Sequence, residues 1–402
     1  MAERPVLSFA VRSPRRRAGS TPVVGCGRFA ERLPAVSPAP SAPPVDQLND
    51  QRVLRVRPLA SPALLKDRLP LTDQARDVVL RGRRDVVDVL TGRDERLLAV
   101  VGPCSVHDPA AALDYATRLA ALAEEVRDQV LVVMRVYFEK PRTTLGWKGL
   151  INDPGLDGSY QVNEGLTLAR QLLLDVLALG LPVGCEFLDP ITPQYIADTV
   201  SWGSIGARTA QSQVHRQLSS GLSMPIGIKN STEGDVQSAV DAVRSAAAEH
   251  VFTGINEDGQ AAILSTTGNE DCHVVLRGSA QGPNYDAASV RATLERLAAA
   301  GLPERVVVDA SHGNSGKDHR RQPAVVADLA RRLAGGERGV RGVMLESFLE
   351  EGNQPLADPA SLVYGRSVTD ACLGWPDTAD VLRTLAATLR AADPTRSGAG
   401  TG

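Results

Sequence analysis

Residues 182–229, PVGCEFLDPITPQYIADTVSWGSIGARTAQSQVHRQLSSGLSMPIGIK, hold three short apolar runs, each with a charged residue at or just beyond its end: Glu186, Arg208 and Lys229. The runs are too short for helices, and the pieces joining them are long enough for crossovers, so they read as parallel strands of βα units. Working outward, the same kind of run recurs at 97–101, 130–136, 273–276, 305–308 and 339–345, which with 182–187, 203–207 and 225–228 makes eight core strands. Stretches 110–126, 164–179, 234–247, 287–300 and 324–333 place apolar residues at three- and four-residue spacing and predict amphipathic helices between them. Eight strands with helical crossovers predict an α/β fold, a closed (β/α)8 TIM barrel. A further pair, 251–255 and 260–265, flanks a glycine-containing turn at 256–259 and predicts a β-hairpin inserted before the sixth core strand.

Residues 1–46 differ in kind, with an arginine run at 15–17 and a proline-rich piece at 34–44 that lack apolar periodicity. They predict a flexible tail, although an Arg-rich, acid-poor composition also fits an organelle transit peptide. Residues 47–96 form an N-terminal extension for regulation or oligomerisation, expected to pack outside the barrel. The catalytic barrel spans 97–392, and 393–402 is a flexible C-terminus. Across all 402 residues, 43% hydrophobic content supports a large core, and a formal net charge of -3 gives no global attraction to nucleic acid or anionic membranes. No apolar stretch approaches the roughly 20 residues of a membrane span. Five scattered cysteines do not make a disulfide scaffold and point to a reducing cytoplasm.

In such barrels the chemistry lies at the carboxyl ends of the strands. Read in order, those ends carry Cys104, Arg135, Glu186, Arg208, Lys229, Arg277, His312 and Glu346. Arg135, Arg142, Arg208, Lys229 and Arg277 on one rim would repel one another without an anionic ligand, and a phosphate-bearing substrate is the natural one. Only five of the 44 basic residues are lysines, and three of these are Lys140, Lys148 and Lys229, where a compact charge or an adjustable proton donor is called for. Cys104, His312, Glu346 and Asp370 form a mixed thiolate, imidazole and carboxylate set that suits a divalent metal of intermediate softness. Spacing alone does not bring the four together, and an isolated cysteine is commonly just a small buried hydrophobe.

The segments GPCSVHDP (102–109), MRVYFEKPRTTLGWKGLINDP (134–154), IGARTAQSQVHR (205–216), GLSMPIGIKN (221–230), HVVLRG (273–278), DASHGNSGKDHRRQPAV (309–325), ESFLEEGNQ (346–354) and YGRSVTDACLGW (364–375) together resemble the type I 3-deoxy-D-arabino-heptulosonate 7-phosphate (DAHP) synthases of the shikimate pathway. The resemblance runs through 47–392 and implies condensation of phosphoenolpyruvate with erythrose 4-phosphate. It implies that Cys104, His312, Glu346 and Asp370 hold a divalent ion, for which Mn, Fe, Co and Zn all suit. Arg135, Lys140, Glu186, Arg208, Lys229 and Arg277 would line the phosphoenolpyruvate site, with Lys140, His312 and Glu186 as catalytic candidates. Arg142 and Thr143 would take the phosphate of erythrose 4-phosphate. Whether Lys140 or His312 protonates the nascent alkoxide is left open.

Family members sensitive to aromatic amino acids form an effector pocket from the N-terminal extension and the hairpin, often across a subunit interface. The resemblance carries this to Asp50, Pro193, Gln194, Ser223, Phe252 and Gly254, with tyrosine the expected effector because glycine at 254 leaves room for a phenolic hydroxyl. The alternative is that Gly254 only eases the backbone at the hairpin turn. A homodimer or homotetramer is the expected assembly. Competing readings are a synthase of the octulosonate or sialic acid type with another aldose acceptor, a Schiff-base aldolase using Lys229, and a non-catalytic metabolite-binding regulator.

Overall fold

The computed structural model describes residues 48–142 and 145–392. The expected tails 1–46 and 393–402, and Thr143, lie outside the described residues. Contacts divide the chain into two units between Arg57 and Pro58. In the first, Asp50 takes φ +54 and its carbonyl accepts from Val53 N at 2.9 Å.

The second unit is built on eight parallel strands: β1 (Leu97–Gly102), β2 (Val130–Arg135), β3 (Val183–Glu186), β4 (Trp202–Ile205), β5 (Ile226–Lys229), β8 (His273–Leu276), β9 (Val306–Asp309) and β10 (Val340–Glu346). β6 (His250–Ile255) and β7 (Ala261–Thr266) form a separate antiparallel hairpin between β5 and β8. The barrel order is β1-β10-β9-β8-β5-β4-β3-β2, and β1 closes it by pairing with both β2 and β10. The eight strands and the hairpin stand where the sequence predicts them, within two residues. Helices α3 (Pro109–Val126), α4 (Val162–Ala178), α6 (Gln213–Gly221), α7 (Gln237–Ala246), α8 (Ala287–Ala299), α9 (Gln322–Ala334) and α10 (Trp375–Ala392) make the outer layer. The short α5 (Pro193–Ile196) follows β3.

The barrel interior is packed, not hollow. Trp202 of β4 is the largest fully buried side chain among the described residues and belongs to the inner apolar cluster. Gly184 on β3 and Gly227 on β5 make room, since a Cβ there would stand 3.2 Å and 2.6 Å from the indole ring. The indole N–H of Trp202 donates to His273 Nε2 at 3.3 Å, and burial pushes the His273 imidazole down to about 3, which keeps it a neutral acceptor.

Among the described residues, two helices precede the barrel: α1 (Pro62–Arg68) and α2 (Asp73–Thr91). Helix α2 departs from the expectation of a purely external extension. Its Val86, Val89 and Leu90 pack with Leu98, Leu131, Trp202 and Met344 in one buried apolar cluster. Gly82 lies against Pro182 and Ser201, just before β3 and β4, and Gly92 lies against Arg341 at the start of β10. Helix α2 therefore closes the amino-terminal mouth of the barrel. The physical reason is that this mouth is an apolar opening that the outer helices do not cover, and α2 presents apolar residues at three- and four-residue spacing to it. Helix α1 instead docks on the hairpin turn, where Ala63 N donates to Glu257 O at 2.8 Å and Lys66 Nζ pairs with Glu257 at 2.8 Å.

If α2 is a plug, Leu90→Ala is expected to cost about 2–5 kcal/mol, because Leu90 is only 1% exposed. Leu80→Ala on the same helix, 56% exposed, is expected to change stability by about 0.5 kcal/mol or less. Denaturant unfolding of both variants checks the contrast, and equal losses would count against the plug.

Candidate active site at the carboxyl ends of the strands

Arg135, Glu186, Lys229 and Glu346 are the last residues of β2, β3, β5 and β10, while Arg277 follows β8 directly. Cys104, Arg208 and His312 stand two or three residues beyond β1, β4 and β9. All of these except the deeply buried Cys104 line one cavity of about 900 Å³, together with Lys140, Arg142 and Asp370. Close backbone packing shapes the cavity. A Cβ at Gly206 would collide with Glu186 Oε1, and one at Gly313 would collide with the Gly278–Ser279 backbone. His312 itself takes φ +53, a strained value for a residue with a side chain, of the kind that clusters at functional sites.

One side of the cavity is a ligand set. The Cys104 sulfur and a carboxylate oxygen each from Glu346 and Asp370 lie within 4.8 Å of one another. His312 is not in that group, although its Nε2 is 3.8 Å from Glu346 Oε1. Burial, with the nearby Glu346 charge, pushes the Cys104 thiol up to about 12. Burial is the largest influence on Asp370 and opposes its charge, but Lys140, 3.7 Å away, together with His312, Cys104 and Arg135 outweighs it and draws Asp370 down to about 2. A sulfur and two carboxylates this close need a cation to ionise together, so the donor set fits a divalent metal of borderline softness.

The other side is cationic. Burial holds the Arg277 guanidinium below its usual range, and Arg208 pushes the same way while Asp309 opposes. Burial works against charge on Lys140 too, yet Cys104, Glu346 and Asp370 raise it overall. Arg135 pairs with Glu346 at 3.0 Å, donates to the carbonyls of Pro103 and Cys104, and stacks 3.6 Å from the centre of the Tyr137 ring. Arg142 donates to Trp147 O at 2.8 Å within its own loop.

Several supporting residues escape a sequence reading. Asp309, the last residue of β9 and 1% exposed, sits 2.9 Å from Lys229 Nζ and 3.0 Å from His312 Nδ1. Burial opposes its charge, but Lys229 and His312 hold it well below the usual carboxylate range. Its signal is a carboxylate ending the run VVV, eclipsed by the nearby histidine. Asn230 Oδ1 accepts from Arg277 N at 2.8 Å, Asn314 Nδ2 donates to Leu276 O and Asp309 O, and Gln322 bonds both backbone groups of Glu346. As single amides just past strands, these read as loop residues.

Of the effector candidates, Ser223 lines a second cavity of about 850 Å³ beside α2 and the end of β7, whereas Pro193, Gln194, Phe252 and Gly254 do not. Pro193 and Gln194 open α5, and Phe252 and Gly254 face Leu264 and Ala262 across the hairpin. Gly254 is not at the turn; Gly259, with φ +78, is. What Gly254 supplies is space, since a Cβ there would meet Leu264 Cδ1 at 2.7 Å.

Glu139, beside Lys140, ties the loop after β2 to the loop after β3 by accepting from Leu188 N, Asp189 N and Thr192 Oγ1, each at 3.3 Å. Burial, reinforced by Asp189, pushes its carboxyl from 4.5 up to about 8. A raised folded-state value means that the neutral carboxyl's stability is complete below the unfolded value and is lost as pH climbs through the folded one. Glu139→Gln is therefore expected to raise the melting temperature relative to the parent increasingly from pH 5 to pH 9. A difference that does not vary with pH would contradict this.

The DAHP synthetase I family matches residues 68–383. The Phe-sensitive phospho-2-dehydro-3-deoxyheptonate aldolase of Escherichia coli K12 is 52% identical over 345 residues, 86% of this chain and 98% of that protein. The Tyr-sensitive enzyme of the same organism is 50% identical over 341 residues, covering 85% and 96%. The solved phospho-2-dehydro-3-deoxyheptonate aldolase of Francisella tularensis SCHU S4 superposes with a TM-score of 0.83 at 47% identity, covering 85% of this chain and 99% of that one. The chain thus belongs to the DAHP synthetase I family.

Proposed function

We propose that this enzyme, a 3-deoxy-7-phosphoheptulonate synthase, condenses phosphoenolpyruvate with erythrose 4-phosphate, the first step of the shikimate pathway. The observation that carries the reading is a single cavity with clustered arginines and Lys229 on one side and the Cys104, Glu346 and Asp370 donors on the other. Two phosphates and a carboxylate enter together, and a neutral substrate would leave the buried Lys229 and Arg277, with the more exposed Arg208 and Arg142, short of anionic partners. In this reading Arg208, Lys229, Arg277 and Arg135 hold the phosphate and carboxylate of phosphoenolpyruvate, with Glu186 at the same wall. Arg142, with Thr143, takes the far phosphate of the tetrose.

Cys104, Glu346 and Asp370, joined by His312, would hold a divalent ion, which supplies Lewis acidity toward the aldehyde oxygen. Carbon 3 of phosphoenolpyruvate bonds to the aldehyde carbon, water adds at carbon 2, and the carbon–oxygen bond to phosphate breaks. The cationic wall positions the two substrates and neutralises the departing phosphate. Lys140, an ammonium 3.7 Å from Asp370, is placed to protonate the nascent alkoxide.

Regulation by an aromatic amino acid, with tyrosine preferred, belongs to the same reading, as does a homodimer or homotetramer in the cytoplasm. The choice of tyrosine rests on the glycine at 254 in FTGIN, which resembles the tyrosine-sensitive members.

Phosphate release from phosphoenolpyruvate is expected with erythrose 4-phosphate, to be much slower with longer aldoses, to stop with chelator, and to return with more than one of Mn, Fe, Co and Zn. Full turnover in chelator would remove the metal from the account, and a longer aldose preferred over the tetrose would change the acceptor. Dose–response curves with tyrosine and phenylalanine check the regulatory part. Tyrosine is expected to inhibit more strongly, and Gly254→Ser to weaken or invert the preference; indifference to both amino acids would reject it.

A further inference from the structure

We propose that Asp309 is a positioning residue for the reaction, one buried carboxylate that orients the metal-site histidine and the substrate-binding lysine at once. The proposal rests on the reading of His312 as a metal ligand and Lys229 as a phosphoenolpyruvate contact.

The geometry is that of a two-sided clamp. Oδ2 of Asp309 stands 2.9 Å from Lys229 Nζ and 3.0 Å from His312 Nδ1. Oδ1 accepts from Ser311 N at 3.0 Å and from Ser311 Oγ at 2.5 Å, and that hydroxyl is also 2.8 Å from His312 Nδ1. The Nδ1 face of the imidazole is therefore taken up by a carboxylate and a hydroxyl, which places the ring proton on Nδ1 and leaves the Nε2 lone pair on the side of Glu346, 3.8 Å away. A carboxylate behind a histidine fixes tautomer and ring direction and makes the ring a better donor to a metal. Meanwhile Lys229, itself buried and lining the cavity, has the Asp309 carboxylate 2.9 Å from its Nζ as a counter-charge that orients it.

The carboxylate is itself held in place. Asp309 is the last residue of β9, with Met344 of β10 as its neighbour in the ladder, and its carbonyl accepts from Asn314 Nδ2 at 2.8 Å. Ala310 N donates to Met344 O at 2.9 Å, so the backbone on both sides of the carboxylate is anchored. The carboxylate's Oδ1 is hydrogen-bonded, whereas Oδ2 is buried with no hydrogen bond of its own and, among the described residues, has only the Lys229 and His312 nitrogens within ion-pair distance, so it links the end of β5 to the loop after β9. The site needs the histidine and the lysine at a fixed separation, because one serves the aldehyde side and the other the phosphoenolpyruvate side.

Asp309→Asn keeps the size and removes the charge. On the folded, metal-free full chain, titration with Co(II) followed by visible absorption and calorimetry is expected to show affinity weakened about 10–100-fold. At saturating metal, the KM for phosphoenolpyruvate is expected to rise about tenfold or more as Lys229 loses its partner, while that for erythrose 4-phosphate moves little. A folded Asp309→Asn protein with unchanged Co(II) affinity and unchanged KM overturns the proposal, even if its melting temperature falls, because a merely structural carboxylate predicts that pattern. Should Asp309→Asn fail to fold, Ser311→Ala, which strips the hydroxyl from the same clamp, must still weaken Co(II) binding; no change in that variant overturns the proposal. His312→Ala separates the two levels. Loss of Co(II) affinity there with none in Asp309→Asn rejects the clamp alone, and wild-type affinity in His312→Ala rejects the metal reading and the clamp with it.

Discussion

The β1–β10 ladder closes the barrel, and its last rung pairs Gly102 with Glu346. Ser347 N then donates to Gly102 O at 2.9 Å, extending the seam one residue past the strands. Glycine at 102 is required there, because a Cβ would land on the Arg135 carbonyl of β2. This one seam fixes three things together: Glu346 at the rim, Arg135 3.0 Å from it, and Cys104 two residues beyond β1, facing Asp370. A slip of one residue in β10 would turn Glu346 out of the cavity and break both the ion pair and the donor set.

The electrostatics of the cavity follow from that arrangement. Carboxylates and a thiol cluster on the β1–β10 side with Arg135 and Lys140 against them, while Arg208, Lys229 and Arg277 stand at the ends of β4, β5 and β8. Each half is costly by itself in a partly buried setting. Cross-pairs such as Arg135 with Glu346 and Lys229 with Asp309 offset some of that cost. What remains is an excess of positive charge where an anion belongs and an excess of negative charge where a cation belongs. A fold that keeps such an imbalance stabilises its ligands rather than itself.

Much of this is legible in the sequence because the barrel imposes a simple rule: the charged residue that ends an apolar run lies on the catalytic rim. Glu186, Lys229 and Glu346 are the last residues of their strands by that rule, and Arg277 follows immediately. The rule has limits set by physics. It cannot see that α2 enters the barrel mouth, because an amphipathic helix reads alike whether its apolar stripe meets an outer helix or the barrel interior. Nor does it single out Asp309, whose importance lies in what its two oxygens touch, or Asn230, Asn314 and Gln322, whose amides fix backbone far away in sequence. Gly254 illustrates the opposite case, where the residue type is plain but its surroundings decide the meaning. Only the cross-strand position opposite Ala262, next to Leu264, distinguishes a space-making glycine from a turn glycine.

On the proposed reading, one cavity would hold a metal on the β1–β10 side and phosphoenolpyruvate on the β4–β8 side. Anomalous diffraction from crystals grown with Mn(II) and phosphoenolpyruvate tests it most directly. An anomalous peak is expected bonded to the sulfur of Cys104 and to Glu346, Asp370 and His312 Nε2, with the phosphoenolpyruvate phosphate and carboxylate against Arg208, Lys229 and Arg277. A manganese peak elsewhere, or phosphoenolpyruvate bound away from those three cations, would contradict it.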